Sequence, residues 1–262
     1  LRNLGFHVFS WIEIKNAFDF RDFDYWYLVN FDKFFFKNFK KFQSAFKKLS
    51  DWRSKKEFLK ILSYKVSGNE QTLKYKAENL KNQYFPNFIN IDENSTIIDV
   101  GAYDGDTIKS FLSMKKKFKK IIAFEPDKEN FKQLEKRIIN NKKITAYNLA
   151  LGSNSKVVCF SSSKDTSKIT QDGDLKIEVN ALDSLGFSPN FIKVDIEGGE
   201  KDFIVGSKET IKKCKPQLAI CVYHRADDFF SIVDLIFSIN SEYRLYFRHH
   251  SLGFTESVMY FI

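Results

Sequence analysis

The stretch Ile98-Asp99-Val100-Gly101-Ala102-Tyr103-Asp104-Gly105-Asp106-Thr107 decides how this chain folds. It opens in a short apolar run, Thr96–Val100, and closes in residues 105–116, which have helical character. A brief apolar run that stops at glycine and leads into a helix reads as a buried strand followed by a strand-to-helix turn. Gly101 and Gly105 let the backbone turn tightly and approach a ligand closely. The helix starting near Gly105 points free N–H groups at that ligand.

Further along, the same alternation recurs. Lys120–Phe124 is a second apolar run, ended by Glu125-Pro126, with Asp127 as N-cap of a helix over 129–140. A third strand is expected over 144–149, followed by Gly152, with extra or irregular strands at 157–160 and 176–179. Phe191–Val194 is a buried strand ending in Asp195, and 200–214 is helical, stopped by Pro216. A strand over 218–223 ends at His224, and a helix follows over 227–237. Residues 243–248 and Ser257–Phe261 alternate without a helix between them and form a terminal antiparallel hairpin. Strands alternating with helices predict an α/β fold with a mostly parallel sheet. In such sheets the ligand lies outside the carboxyl ends of the strands. The residues there are polar or glycine-rich: Asp99–Gly101, Glu125, 149–152, Asp195 and His224.

Composition fits a globular chain: 262 residues, 43% hydrophobic and 29% charged, which excludes a disordered or fibrous protein. Cys159, Cys214 and Cys221 are odd in number and lack C-x-x-C spacing, so a disulfide framework and a zinc ribbon are not expected. No apolar run approaches the roughly 20 residues that span a bilayer, nothing at the start resembles a signal peptide, and the expected location is cytoplasmic. The net charge is +9, and residues 1–92 hold 17 Lys plus Arg against 10 Asp plus Glu, a surplus of +7. This divides the chain into a basic, Phe-rich helical region, 1–92, and a domain over 93–262. The basic region is read as a solvated face; phosphates, an acidic partner or the inner face of a membrane are the alternatives. Phe31, Phe35, Phe39, Phe42, Phe46 and Leu49 recur with a mean spacing of 3.6, which predicts one amphipathic helix over 31–49. Its aromatic stripe is expected to pack on the second region or on another copy of the chain in a homo-oligomer. Residues 51–83 also read as helical, and Pro86 with the polar 87–94 stretch marks the boundary.

Two cofactors suit glycines at the first turn with an acid, Glu125, at the end of the second strand, where a carboxylate accepts both ribose hydroxyls. A dinucleotide needs its pyrophosphate on the helix N-terminus, where Asp104 and Asp106 would repel it. The same carboxylates suit the amino group and sulfonium of S-adenosylmethionine, which is therefore favoured.

At these residues the chain resembles a class I, Rossmann-like S-adenosylmethionine-dependent methyltransferase, and more narrowly the FkbM family. The resemblance rests on DVGAYDGDT (99–107), AFEPD (123–127), NLALG (148–152), ALDSL (181–185), FIKVDIEGGE (191–200), KPQLAICVYHRADD (215–228) and YRLYFRHHSLGFTESVMYFI (243–262). It implies a seven-stranded sheet and O-methylation, often of a sugar hydroxyl. It also implies that Asp99, Gly101, Ala102 and Gly105 line the methionine end of the cofactor, that Glu125 holds the ribose, and that Pro126 and Leu151 border the adenine. Tyr103, Asp104 and Thr107 complete the cofactor turn, and Asp195 stands beside the point of methyl transfer.

Methyl transfer to oxygen needs alignment and a proton acceptor. His224, with an ordinary pKa of about 6.5, is expected as the base, with Asp195 orienting the hydroxyl or the base. Glu197, Arg225 and His249 are the expected acceptor contacts. In a strand, His249 and His250 point to opposite faces, so at most one faces the acceptor. Asp195, Glu197, His224, Asp227 and Asp228 offer oxygen-rich ligation for Mg²⁺, but no metal is favoured. The expected function is O-methylation of a nucleotide-activated sugar or surface glycan. The alternatives are a methyltransferase on nucleic acid or another small molecule, and a non-catalytic binding module. Nucleic acid is disfavoured because Asp195-Ile196-Glu197-Gly198 stands where base-amino enzymes carry Asn/Asp-Pro-Pro-Tyr/Phe, and its acids would repel phosphates.

Overall fold

The computed structural model describes residues 30–69, 73, 82–161, 168–169 and 175–262. The helices are α1 (Phe31–Lys37), α2 (Phe39–Lys48), α3 (Trp52–Ser67), α4 (Asp106–Ser113), α5 (Lys128–Ile138), α6 (Glu200–Gly206), α7 (Lys208–Cys214) and α8 (Asp228–Ile239). The strands of the main sheet are β1 (Thr96–Val100), β2 (Lys120–Phe124), β3 (Ile144–Tyr147), β8 (Phe191–Val194), β9 (Gln217–Cys221), β10 (Leu245–His249) and β11 (Ser257–Phe261). They lie in the order β10-β11-β9-β8-β1-β2-β3. All neighbours from β3 to β9 are parallel, and β11 runs antiparallel to both β9 and β10. A smaller sheet, β4-β7-β5-β6, is built from β4 (Ala150–Leu151), β5 (Lys156–Ser161), β6 (Lys168–Ile169) and β7 (Leu175–Asn180). The expected α/β sheet with its terminal hairpin is thus present. The expected third strand over 144–149 stops at Tyr147, and its continuation joins the smaller sheet instead.

The apolar runs become strands because both faces of the main sheet are covered. Four of the five residues of β1, β2 and β9, and all of β8 and β11, are buried. The chain leaves β1 outward to β2 and β3 and then returns to β8 on the other side. The strand order therefore reverses between β1 and β8, and the crevice for a ligand opens at their carboxyl ends.

The helical region packs along the β10 side of the sheet. Residues 31–49 form two helices, not one, because Asn38 (φ −108°) interrupts them and its side-chain amide donates to the carbonyl of Phe34 at 2.9 Å. The aromatic stripe is covered in part by α8: Phe42 meets Phe229 and Phe230, and Phe34, outside the stripe, stacks on Phe230, while Phe39 stays exposed. α3 then closes the free edge of β10. The Ser54 hydroxyl accepts from the Phe247 amide at 2.9 Å, Glu57 accepts from the His249 amide at 3.0 Å, and the Ser50 amide donates to the Leu245 carbonyl at 2.8 Å. Arg248 reaches back to Asp51 at 2.8 Å. An open strand edge is thereby satisfied by side chains of the N-terminal region. Residues 70–72 and 74–81 of the expected helical stretch lie outside the described residues, as do 1–29. Among the described residues, no helix is long and apolar enough to cross a membrane.

Phe42 is 2% exposed at the centre of this aromatic contact. Phe42→Ala is expected to lower stability by about 3–5 kcal/mol, read from urea unfolding, if the helices and the sheet unfold together. A loss near zero would mean that α1 and α2 contribute nothing to the common core.

Candidate active site

The turn after β1 is made by backbone that only glycine accommodates. Gly101 has φ +75°, and a Cβ there would overlap the carbonyl oxygen of Asp195 at the end of β8. The amides of Gly101 and Ala102 both donate to the Phe124 carbonyl at 3.0 Å, tying the turn to β2. Tyr103 follows at φ 48°, with its ring half exposed. Its amide donates to Glu125 Oε2 at 2.8 Å, and the Asp127 amide donates to Oε1 at 2.9 Å. Glu125 is buried, which raises its proton affinity, while these two N–H groups act against that rise. Each of its oxygens keeps a further lone pair. Asn148 holds the loop from below by donating to the carbonyls of Glu125 and Pro126, each at 2.9 Å.

The other turn residues have different surroundings. Asp99 is buried in β1 and pairs with Lys193 of β8 at 3.0 Å. Thr107 is buried and lines, with Asp99, Lys193 and Phe85, a cavity of about 10 Å³, the size of one water. Asp104 turns towards α5 and pairs with Arg137 at 2.6 Å, so its charge at the turn is offset. Gly105 (φ +85°) caps α4 against Leu134 and Arg137. Pro126 is half-buried, and Leu151 is buried in β4.

Across the crevice, β8 and β9 end in a charged cluster. His224 Nδ1 lies 2.8 Å from Glu200 Oε1, which also accepts from the Ile196 amide at 3.1 Å. His224 Nε2 faces Asp195 at 3.4 Å and Glu197 at 3.7 Å. Asp195 accepts from the hydroxyls of Tyr84 at 2.8 Å and Tyr223 at 3.2 Å. Glu197, at φ 53°, is the most exposed member.

The strand order and the paired strand ends belong to one recognisable design. A family model for the FkbM methyltransferase domain matches residues 99–254. The chain belongs to the FkbM methyltransferase family. It is similar to methyltransferase FkbM from Methylobacillus flagellatus KT, with 25% identity and a TM-score of 0.79 over 90% of this chain and 62% of that one. The chain thus spans less than two thirds of that relative. Other solved structures share less: an rRNA methylase from Streptococcus thermophilus matches with 11% identity and a TM-score of 0.42 over 65% of this chain and 87% of that one. Aeropyrum pernix fibrillarin, solved with S-adenosyl-L-methionine, matches with 10% identity and a TM-score of 0.43 over 66% of this chain and 69% of that one. No curated protein matches the chain.

Within this FkbM-family site, the structure brings Gly101, Glu125, Asp195 and His224 to adjoining strand ends, with Glu197 beside them. Arg225 is exposed and packs its side chain against Gly198. His249 lies elsewhere: it is fully buried, with Nδ1 2.9 Å from the Ser257 hydroxyl. Burial pushes its pKa down to about 4, so it is a neutral core residue and does not face an acceptor. His224 departs from the expected titration. Burial alone would lower its pKa, but Glu200, Asp195 and Glu197 outweigh burial and push it up to about 10. At neutral pH it is an imidazolium. For Asp195, burial works upward, but the charges of His224 and Lys193 and the Tyr84 hydrogen bond hold it below its ordinary value. The residues that sequence reasoning missed are Tyr84, Tyr223, Asn148 and Lys193. Only Lys193 carried a signal, being a charge in the middle of the apolar run Phe191–Val194.

A raised pKa in the folded state stabilises the fold fully below the unfolded value and is lost as pH rises through the folded value. The stabilisation from His224 should therefore persist to about pH 6.5 and fade towards about pH 10. In urea unfolding at stepped pH, the gap between wild type and His224→Gln should narrow over that window. A gap that stays constant to pH 10.5 would show that His224 is not held protonated.

Proposed function

We propose that the chain is an S-adenosylmethionine-dependent O-methyltransferase acting on a sugar hydroxyl, of a nucleotide-activated sugar or a surface glycan. The observation that carries this reading is the pairing, across one crevice, of a buried carboxylate with free lone pairs, Glu125, and an ionised acid, Asp195, buttressed by an imidazolium. The cofactor fits the residues present. Glu125 has lone pairs left for two ribose hydroxyls, and the missing side chain at Gly101 leaves backbone open beside it. Bound there, S-adenosylmethionine supplies an electrophilic methyl group.

The protein's own part is positioning and proton transfer. Asp195, held ionised, accepts the hydrogen bond of the acceptor hydroxyl and takes its proton as the oxygen becomes nucleophilic. His224, already protonated, cannot accept that proton. It holds Asp195 in place and offsets the negative charge of the cluster. This reading keeps the pair expected from sequence, with the roles exchanged. Glu197, exposed at the rim, contacts the acceptor, and Arg225 meets an acceptor phosphate or carboxylate. Mg²⁺ has no part in this reading. The basic helical region is a solvated face, and a homo-oligomer through it remains part of the proposal only as an outcome of size measurement.

Calorimetry on EDTA-treated protein should give micromolar binding of S-adenosylmethionine and none of NAD in a parallel cell. Glu125→Ala should weaken cofactor binding by about ten-fold or more, the loss expected for hydrogen bonds to a charged group. Unchanged affinity would remove Glu125 from the ribose. Asp195→Asn should keep cofactor affinity within about two-fold while turnover on a responsive sugar acceptor falls by about 10²-fold or more. Full activity in that variant would end its role as base.

A further inference from the structure

The segment ahead of the family-matched residues reaches the reacting acid. Tyr84 lies upstream of residues 99–254, is 9% exposed, and donates its hydroxyl proton to Asp195 Oδ2 at 2.8 Å. The direction of that proton is fixed by a neighbour. Gln83 Nε2 donates to the Tyr84 oxygen at 3.3 Å, so the hydroxyl accepts there and is left to donate to Asp195. Gln83 is itself anchored twice. Its side-chain amide nitrogen donates to Glu256 at 2.5 Å, and its backbone carbonyl accepts from the Tyr260 hydroxyl. The Tyr84 ring lies against the Lys193 ammonium, 5.2 Å from its centroid. Phe85, next along, is wedged against Phe111 and Phe191. Together these contacts aim one hydroxyl at one carboxylate oxygen.

We propose that Tyr84 is a positioning residue for methyl transfer: its hydrogen bond to Asp195 Oδ2 fixes the carboxylate's rotation, leaving Oδ1 directed to the crevice. This rests on the reading of Asp195 as proton acceptor. Asp195 Oδ1 is the oxygen that faces His224 and Tyr223. A rotating carboxylate would present its oxygens alternately and lose alignment with the acceptor. Tyr84 remains a donor throughout, since burial first, and then the Asp195 charge, hold its phenol protonated well above the usual range.

The other groups that act on Asp195 are accounted for. Lys193 on β8 and His224 after β9 stabilise its charge. Asp99 on β1, Glu256 before β11 and Glu200 of α6, whose carboxylate lies within 4.8 Å, oppose it electrostatically. Cys221 on β9 and Tyr223 beyond it are held as neutral donors by burial. Removing Tyr84's hydroxyl leaves all of these in place, so its effect can be isolated.

Tyr84→Phe keeps the ring and its contacts. With carboxyl-¹³C aspartate in wild type, Tyr84→Phe and Asp195→Asn (to assign the resonance), NMR titration reads Asp195 without any acceptor. The Asp195 midpoint should move up by about half to one pH unit in Tyr84→Phe, while calorimetric S-adenosylmethionine affinity stays within about two-fold. An unmoved midpoint overturns the proposal, whatever the fate of the acceptor assignment. With a responsive acceptor, kcat should fall about ten-fold with little change in KM, and the acid limb of the rate profile should shift in the same direction as the NMR midpoint. Wild-type kcat with a shifted midpoint would leave Tyr84 a structural neighbour only, and would equally overturn it. Tyr223→Phe serves as the comparison: its longer bond to Asp195, 3.2 Å, predicts a smaller shift.

Discussion

The ion pair between Asp99 and Lys193 is the contact on which the rest of the site depends. The two residues sit opposite one another in the register of β1 and β8, 3.0 Å apart, with side chains 2% and 3% exposed. Two charges removed from water to this degree hold their place only when paired and hydrogen-bonded. Lys193 meets that condition by also donating to the carbonyl of Gly101 at 2.5 Å. One ammonium therefore fixes the ends of both central strands, at the place where the strand order reverses. Gly101 then comes to lie directly against the Asp195 backbone, and the absence of a side chain there becomes a requirement rather than a preference. The glycine turn and the Asp195 strand end are two sides of one close contact, so neither can be displaced without the other.

The same economy explains why a helical region stands before the sheet. β10 is an edge strand carrying Phe247 and His249, both buried, and its amides would otherwise be exposed to pairing with other chains. Ser54 and Glu57, three residues apart on α3, match the two-residue spacing of those amides. Three helical residues rise about 4.5 Å and two strand residues about 6.6 Å, a difference the longer glutamate side chain spans. The phenylalanines of α1 and α2 extend the sheet's own core across α8. The lysines between them face solvent and keep this aromatic layer soluble at its outer side.

Strands bounded by a glycine or an acid were legible to the residue: β1, β2, β8 and β11 begin and end where the apolar runs do. Their boundaries are written in chemistry, because a glycine or a polar residue bounds each apolar run. Helical breaks were not legible. The period of 3.6 runs through Asn38 unbroken, and only the amide's bond to Phe34 ends the first helix. Likewise Ser207, whose hydroxyl turns back to the Phe203 carbonyl at 2.7 Å, divides 200–214 into α6 and α7. At the site, topology made the strand-end residues visible. Proton affinity was not visible, because it depends on distances: three acids within four ångströms of one imidazole convert an expected base into a cation. Tyr84 was invisible for a different reason. It lies in a stretch without periodicity, and its meaning comes only from the tertiary contact with Asp195.

The charge of the cluster bears on what the crevice will hold. Asp195 and Glu197 stand at its mouth, Glu200 lies beneath, and one imidazolium answers them. Asp228, fully buried nearby, is pushed towards its neutral form by burial and by Glu200, so the protein itself limits the surplus. What remains is still negative, in a crevice where charges are screened less than in water. Such a surface attracts a cationic ligand and releases a neutral one more readily. A cofactor that arrives as a sulfonium and departs as a thioether suits that asymmetry. The strand-end acids thus act on a ligand in the same electrostatic sense as the acids of the glycine turn.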